Sequence, residues 1–182
     1  MRRRAATREE ARALSHPLRL RILRLCLYEA RTNKELALAL DADPSSTLYH
    51  VRTLVKTDFL APEQERRGKR GAKEIPYRAT GKSWTLDVGA DVSVQVAALD
   101  AHRAELLEAG PEAVLTSSRL GVRLSPKKLA ELQHRLSQLA HEFADEDTPD
   151  GQAVSLFIGL HRRDSLPSGQ DRPIRDSKER RP

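Results

Sequence analysis

Apolar positions in the first third of the chain recur at helical spacing. In SHPLRLRILRLCLYEA (15–30), Leu18, Ile22, Leu25 and Cys26 share one face, and Leu20, Leu23 and Leu27 widen it. Pro17 suits a first helical turn, with His16 before it as the cap. A shorter helix, about Thr7 to Leu14, is expected ahead of it. In TNKELALAL (32–40), Thr32 stands three residues before Glu35, so each side chain can satisfy the other's free backbone N–H. Leu36 and Leu40 then face inward. DADP (41–44) breaks the chain, with Asp43 as N-cap and Pro44 as first residue of the next helix. That helix is expected to run from Pro44 to about Lys56, its inner stripe Leu48, Val51, Leu54 and Val55. Asp58, which tolerates left-handed backbone, takes the chain out of it.

The period then changes. Residues 59–80 read as two short strands, about 59–66 and 74–80, around a Gly-flanked basic tip, RRGKRGAK (66–73). Ile75, Tyr77 and Ala79 alternate with Glu74, Pro76 and Arg78, as on a half-buried edge strand. Two short helices joined by about four residues and followed by a hairpin predict a winged helix-turn-helix. Further on, a helix over about 88–109 carries Val92, Val96, Leu99 and Leu106 on one stripe and stops at Gly110-Pro111. SRLGVRL (118–124) alternates Leu120, Val122 and Leu124 as a strand would. Ser125-Pro126 starts a helix with Leu129, Leu132, Leu136, Leu139 and Phe143 at a 3-4-3-4 spacing. After an acidic loop (145–151), AVSLFIGL (153–160) reads as a last strand.

The expected fold class is mainly α with small β. A winged helix-turn-helix domain over 1–82 is followed by a dimerisation helix and a small α/β unit over 83–161, then a disordered basic tail over 162–182.

Charge sharpens this division. Residues 1–82 carry 19 Lys/Arg against 10 Asp/Glu, residues 83–161 carry 6 against 12, and residues 162–182 carry 7 against 4. A basic first half on an acidic second half points to a polyanionic partner for the first half. The single cysteine, Cys26, excludes an internal disulfide and fits a reducing compartment. No run approaches the length of a transmembrane helix, and the basic N-terminus lacks the apolar run of a signal peptide. A cytoplasmic protein with no membrane partner is therefore expected.

From Pro44 to Thr57 the chain holds His50, Arg52 and Lys56 but no carboxylate. An anion on a helix lying in the major groove would face phosphates on both sides; its exclusion, with cations added, turns repulsion into attraction. Ser45, Ser46, Tyr49, His50 and Thr53 offer hydrogen bonds on the face opposite Leu48, Val51 and Val55. Ser45, Ser46, Tyr49 and His50 are the candidates for bases, with Thr47 and Thr53 beside them, and Arg52 and Lys56 for phosphates. In the wing, Arg67, Lys69, Arg70 and Lys73 are the candidate backbone or minor-groove contacts.

Taken together, ALSHPLRLRILRLC, TNKELALAL, DPSSTLYHVRTLVKTDFL and the basic hairpin resemble the ArsR-like winged-helix transcription regulators over about residues 8 to 82. The resemblance implies a homodimer on double-stranded operator DNA, with the second helix of the motif in the major groove and the wing on the backbone or minor groove. It also implies a repressor, with release by an unknown small-molecule effector as an open possibility. The Cys-rich metal motif of the founding members is absent, so thiolate metal sensing does not carry over.

Other features offer less. GKS (81–83) lacks the glycine that a phosphate-binding loop needs five residues earlier, where Pro76 stands. His134 and His141 lie seven residues apart on one helix, about 10 Å at ~1.5 Å per residue, too far for one metal ion. A site between subunits using one of them with His102 or Glu131 is the only metal arrangement left open. No triad, paired-carboxylate or Gly-rich arrangement supports an enzyme, and no cofactor is expected. Two rivals to DNA binding remain: a winged helix used for protein contact, and a ligand-binding protein acting through its C-terminal unit.

Overall fold

The computed structural model of the chain describes residues 3–68, 72–89, 91–148 and 150–162. Local caps set most of the helix ends. Strand β1 (Arg4–Ala5) leads into α1 (Arg8–Leu14), where Thr7 and Glu10 form a reciprocal capping box. Helix α2 (Pro17–Leu25) starts on His16, whose Nδ1 accepts from the Leu18 N–H at 3.2 Å. Strand β2 (Arg31–Thr32) runs into α3 (Asn33–Ala39), capped by the expected Thr32–Glu35 box. Asp41 turns the chain with φ +46°, and α4 (Pro44–Lys56) begins on the Asp43 cap. Asp58, φ +58°, ends α4 as its left-handed tolerance predicts.

The wing is smaller and more divided than two strands. Strand β3 (Leu60–Pro62) is followed by β4 (Arg66–Arg67), β5 (Lys73–Glu74) and β6 (Pro76–Ala79). β6 is central: β3 pairs with one edge and β2 with the other, both antiparallel. β4 and β5 pair separately toward the tip. The expected alternation has the opposite phase at its start, since Pro76 is buried and Ile75 exposed. Pro76 can sit there because it is the first residue of β6, where its carbonyl accepts from the Glu63 N–H at 2.8 Å.

A 3-10 turn (Lys82–Thr85) and β7 (Leu86–Asp87) close the domain, β7 pairing in parallel with β1. The core gathers Ala13, Leu14, Ile22, Leu23, Cys26, Leu36, Leu40, Val51, Leu54, Phe59 and Leu60 from every helix of this part. Helix α5 (Val92–Ala109) lays Val94, Ala97 and Ala101 against it, and these small residues let it approach α1 and α2 closely. The stripe expected on α5 faces outward: Val92, Val96, Leu99 and Leu106 are all exposed.

Helix α6 (Pro126–Asp145) forms as the 3-4-3-4 spacing predicts, but none of its residues is buried. The two C-terminal strands do not form. Residues 118–124 and 153–160 contain no strand, and Leu120, Val122, Val154 and Leu156 are exposed. Alternation makes a segment fit for a sheet, but a strand also needs a neighbour for its backbone N–H and C=O groups, and neither segment has one. The described C-terminal region is helical with extended connections rather than an α/β unit. Residues 163–182, most of the predicted basic tail, lie outside the described residues.

Candidate nucleic-acid interface

The face of α4 turned to solvent is built by its first turns. Asp43 accepts from the Ser46 N–H at 2.8 Å, which fixes the helix start and leaves the Ser45 and Ser46 side chains outward. Tyr49 follows one turn later, two-thirds exposed, then Arg52 and Lys56. These five exposed side chains form a row with no carboxylate of its own, and the anion at its end is Glu9, reaching Lys56 from α1. Thr53 lies at the row's margin, half-buried, with its hydroxyl donated to the Tyr49 carbonyl at 2.9 Å.

Two candidates leave this row. Thr47 is fully buried and donates its hydroxyl to the Asp43 carbonyl at 2.9 Å. His50 is buried as well. The inner stripe of α4 is therefore Thr47, His50, Val51 and Leu54, rotated from the stripe expected, with Leu48 and Val55 only half-covered. The physical reason is that both polar groups find partners inside. Thr47 bonds back onto its own helix. The His50 ring lies 4.4 Å from the His16 ring, and its Nδ1 is 3.4 Å from the Arg19 guanidinium.

Arg19 is the residue that sequence reasoning missed. It sits on the inner face of α2, buried, where an apolar side chain would be expected. Its guanidinium donates to the carbonyls of Ala13 at 2.5 Å and Arg12 at 2.7 Å, filling acceptors that the end of α1 leaves free. This fixes α1 to α2 and gives α4 a polar seat. Burial, with His16 and Arg19 close by, depresses the His50 pKa to about 4, so the ring is neutral near pH 7. Its only sequence signal was an arginine within the apolar stripe of 15–30.

The far end of α4 is tied to the N-terminal arm. Lys82 donates to the Thr57 carbonyl at 2.7 Å and pairs with Glu10 at 2.9 Å. Glu10 is buried, takes a forked pair of bonds from Arg4, and accepts from the Thr7 N–H. These donors hold its carboxyl well below the usual carboxylate range. Lys56 is not a free cation, since its Nζ lies 2.8 Å from Glu9.

In the wing, Arg67 is exposed on β4 and Lys73 is exposed on β5, the latter 3.0 Å from Glu65. Lys69 and Arg70 lie outside the described residues. Arg66, absent from the candidates, is held by Glu35 at 2.5 Å and so joins the wing to α3. Cys26 is a buried core thiol, and burial pushes its pKa up to about 11. Among the described residues no three His, Cys, Asp or Glu side chains are grouped to hold a metal, and no helix is long and apolar enough to cross a membrane.

Two short helices joined by a four-residue turn, with a strand before them and a hairpin behind, define a winged helix-turn-helix, mostly helical with small sheets. Residues 14–63 match the family described as helix-turn-helix domain, which spans α2, α3, α4 and the first strand of the wing. No curated relative matches the chain. Solved structures similar to it include the adhesin competence repressor (AdcR) from Streptococcus pyogenes, at 20% identity and a TM-score of 0.33, over 69% of this chain and 78% of that one. An apo form of a ZitR mutant from Lactococcus lactis is similar at 20% identity and a TM-score of 0.32, over 73% of this chain and 86% of that one.

Proposed function

We propose that this chain is a sequence-specific DNA-binding transcription regulator, ArsR-like, acting as a homodimeric repressor on a palindromic operator. The observation that carries the reading is the exposed row Ser45, Ser46, Tyr49, Arg52 and Lys56, with no carboxylate of its own, on the open face of the second helix of a helix-turn-helix. An α-helix of this kind fits the major groove, where Ser45, Ser46 and Tyr49 at its N-terminal end reach base edges and Arg52 and Lys56 reach phosphates. Arg67, Lys69, Arg70 and Lys73 extend the contact along the backbone or into the minor groove. Residues 1–82 are the DNA-binding part and residues 83–161 the dimerising part. The outward Val/Leu stripe of α5 supports that division, because exposed apolar residues at helical spacing are costly on a monomer. Acting on DNA, the protein works in the cytoplasm, without enzymatic chemistry.

The test is genome-wide capture of bound DNA, followed by titration of the enriched duplex and a scrambled one at two salt concentrations. Preference of about 10³-fold or more for the enriched site marks a sequence-specific regulator. Equal affinity for the two duplexes refutes the proposal.

A further inference from the structure

Helix α6 is the longest helix among the described residues and the most open. No other element packs along its length. It meets the rest of the chain near its C-terminal end, where the His141 ring lies 5.5 Å from Trp84, and just beyond it, where Asp147 accepts from the Tyr28 hydroxyl at 3.0 Å. Its apolar residues fall at heptad spacing. Leu129, Leu136 and Phe143 occupy one seam position and Leu132 and Leu139 the other, the pattern of a helix that packs against another helix rather than onto a globular core. Leu129, Leu132 and Leu136 are half-exposed, and Leu139 and Phe143 are open, Phe143 by 64%.

We infer that this seam pairs with the same seam of a second copy of the chain, the two α6 helices running antiparallel. The inference rests on the homodimer reading and adds to it a second contact on the two-fold axis. Charge selects both the occupant and the direction. The positions flanking the seam on one side are Lys128, Arg135 and Glu142, and on the other Gln133 and Ala140. In an antiparallel pair with these layers the first set faces itself, so Arg135 meets the partner's Glu142 twice, offset by about two residues along the helices, and Lys128 lies further out on the same side. Leu132 then stacks on the partner's Phe143, and Leu136 on the partner's Leu139, each layer made twice. A parallel pair sets Lys128 against Gln133, Arg135 against Ala140 and Glu142 against Asp147, with no attraction and one repulsion. Basic start, apolar seam and acidic end thus form a self-complementary strip. Within the chain, Lys128 and Arg135 lean on Glu131 at 2.8 and 3.9 Å. Such exposed pairs exchange partners at little cost. Glu142 has no cation partner among the described residues.

Spin labels placed on the full chain at Lys127→Cys or Gln138→Cys test the geometry. Both positions are exposed, and the native Cys26 is fully buried and out of reach. In the antiparallel pair the axis passes midway between Leu136 and Leu139. Labels at 138 are then nearly opposite, while those at 127 are offset by about 30 Å along the helices at ~1.5 Å per residue. Equal distances at the two positions overturn the inference in favour of a parallel pair. Absence of coupling at both, in a protein that sediments as a dimer, overturns it by placing the axis elsewhere and leaves the homodimer standing. A monomer by sedimentation removes both readings together. Independently, Glu142→Lys is expected to weaken the dimer about tenfold, and Arg135→Glu added to it to restore the affinity. A double variant no tighter than Glu142→Lys alone refutes the pairing.

Discussion

The His50 ring lies 4.4 Å, centroid to centroid, from the ring of His16, joining the middle of α4 to the cap of α2. Arg19 stands on the same spot, 3.4 Å from the His50 Nδ1. An arginine can only donate, so the neutral His50 ring carries its proton on Nε2. A proton added to this ring would set a second cation against a buried guanidinium. The neutral form is therefore part of the fold.

This makes stability depend on pH in a stated window. The folded pKa of His50 is about 4 against an ordinary 6.5, and His16 is shifted the same way, chiefly by burial. The unfolded chain binds the His50 proton first, so the stabilisation is whole above pH 6.5 and is lost as pH falls toward 4. Over the whole window the His50 share of that loss is about 3–4 kcal/mol at ~1.4 kcal/mol per pKa unit, of which about 2 kcal/mol falls between pH 7 and pH 5. Chemical denaturation at pH 7.0 and 5.0 measures that part. His50→Gln is expected to flatten the slope between those values, and an unchanged slope refutes this account of the cluster.

Tyr49 and His50 are neighbours with opposite exposures, and their variants are expected to fail differently. Tyr49→Ala should cost about 1–3 kcal/mol of affinity on the operator and little on scrambled DNA, with the melting temperature kept. His50→Ala should lower stability by about 2 kcal/mol and weaken binding to both duplexes alike. Removing Arg67 or Lys73 should instead reduce the salt slope, by about 0.9 for each phosphate no longer neutralised, without changing sequence preference. Anisotropy titrations and thermal melts on the same preparations separate the three behaviours.

What the sequence made legible was local. The Thr32–Glu35 box, the His16 and Asp43 caps and the turn at Asp58 are decided by residues within a few positions, and each formed as expected. The phase of α4 was not local. Thr47 and His50 look like surface residues until Arg19 and His16, more than thirty positions away from His50, supply an interior for them. The strands expected at 118–124 and 153–160 failed for the same kind of reason, since alternation cannot name a pairing partner. Of the candidate site, the open row on α4 was readable from composition, and its inner edge was not.

The outward stripe of α5 gives a test of assembly. Val96 is half exposed, while Val94 and Ala97 beside it face the domain. A charge at Val96 therefore spares the chain's own core and strikes whatever covers the stripe. Val96→Glu is expected to shift the protein to monomer at micromolar concentration and to lower operator affinity by at least about tenfold, with circular dichroism unchanged. Light scattering reads the mass, and a monomeric wild-type protein would falsify the assignment.

The absence of carboxylates from Pro44 to Thr57 is incomplete in space, because the fold returns one to the end of α4. Glu9 reaches Lys56 at 2.8 Å from the start of α1, and both side chains are well exposed. The pair raises the Lys56 pKa and lowers that of Glu9, chiefly through their hydrogen bond. Solvent screens such a pair, so it adds little to stability. Its effect on binding is larger, since Glu9 both occupies the ammonium and repels a phosphate that Lys56 would contact. Glu9→Gln is expected to leave the melting temperature within about a degree and to tighten binding to operator and scrambled DNA alike, by about two- to fivefold at low salt. The gain should vanish when Lys56→Gln is added. A gain that persists in the double variant shows that Glu9 acts on DNA from elsewhere, and that Lys56 is not the phosphate contact at this end of α4.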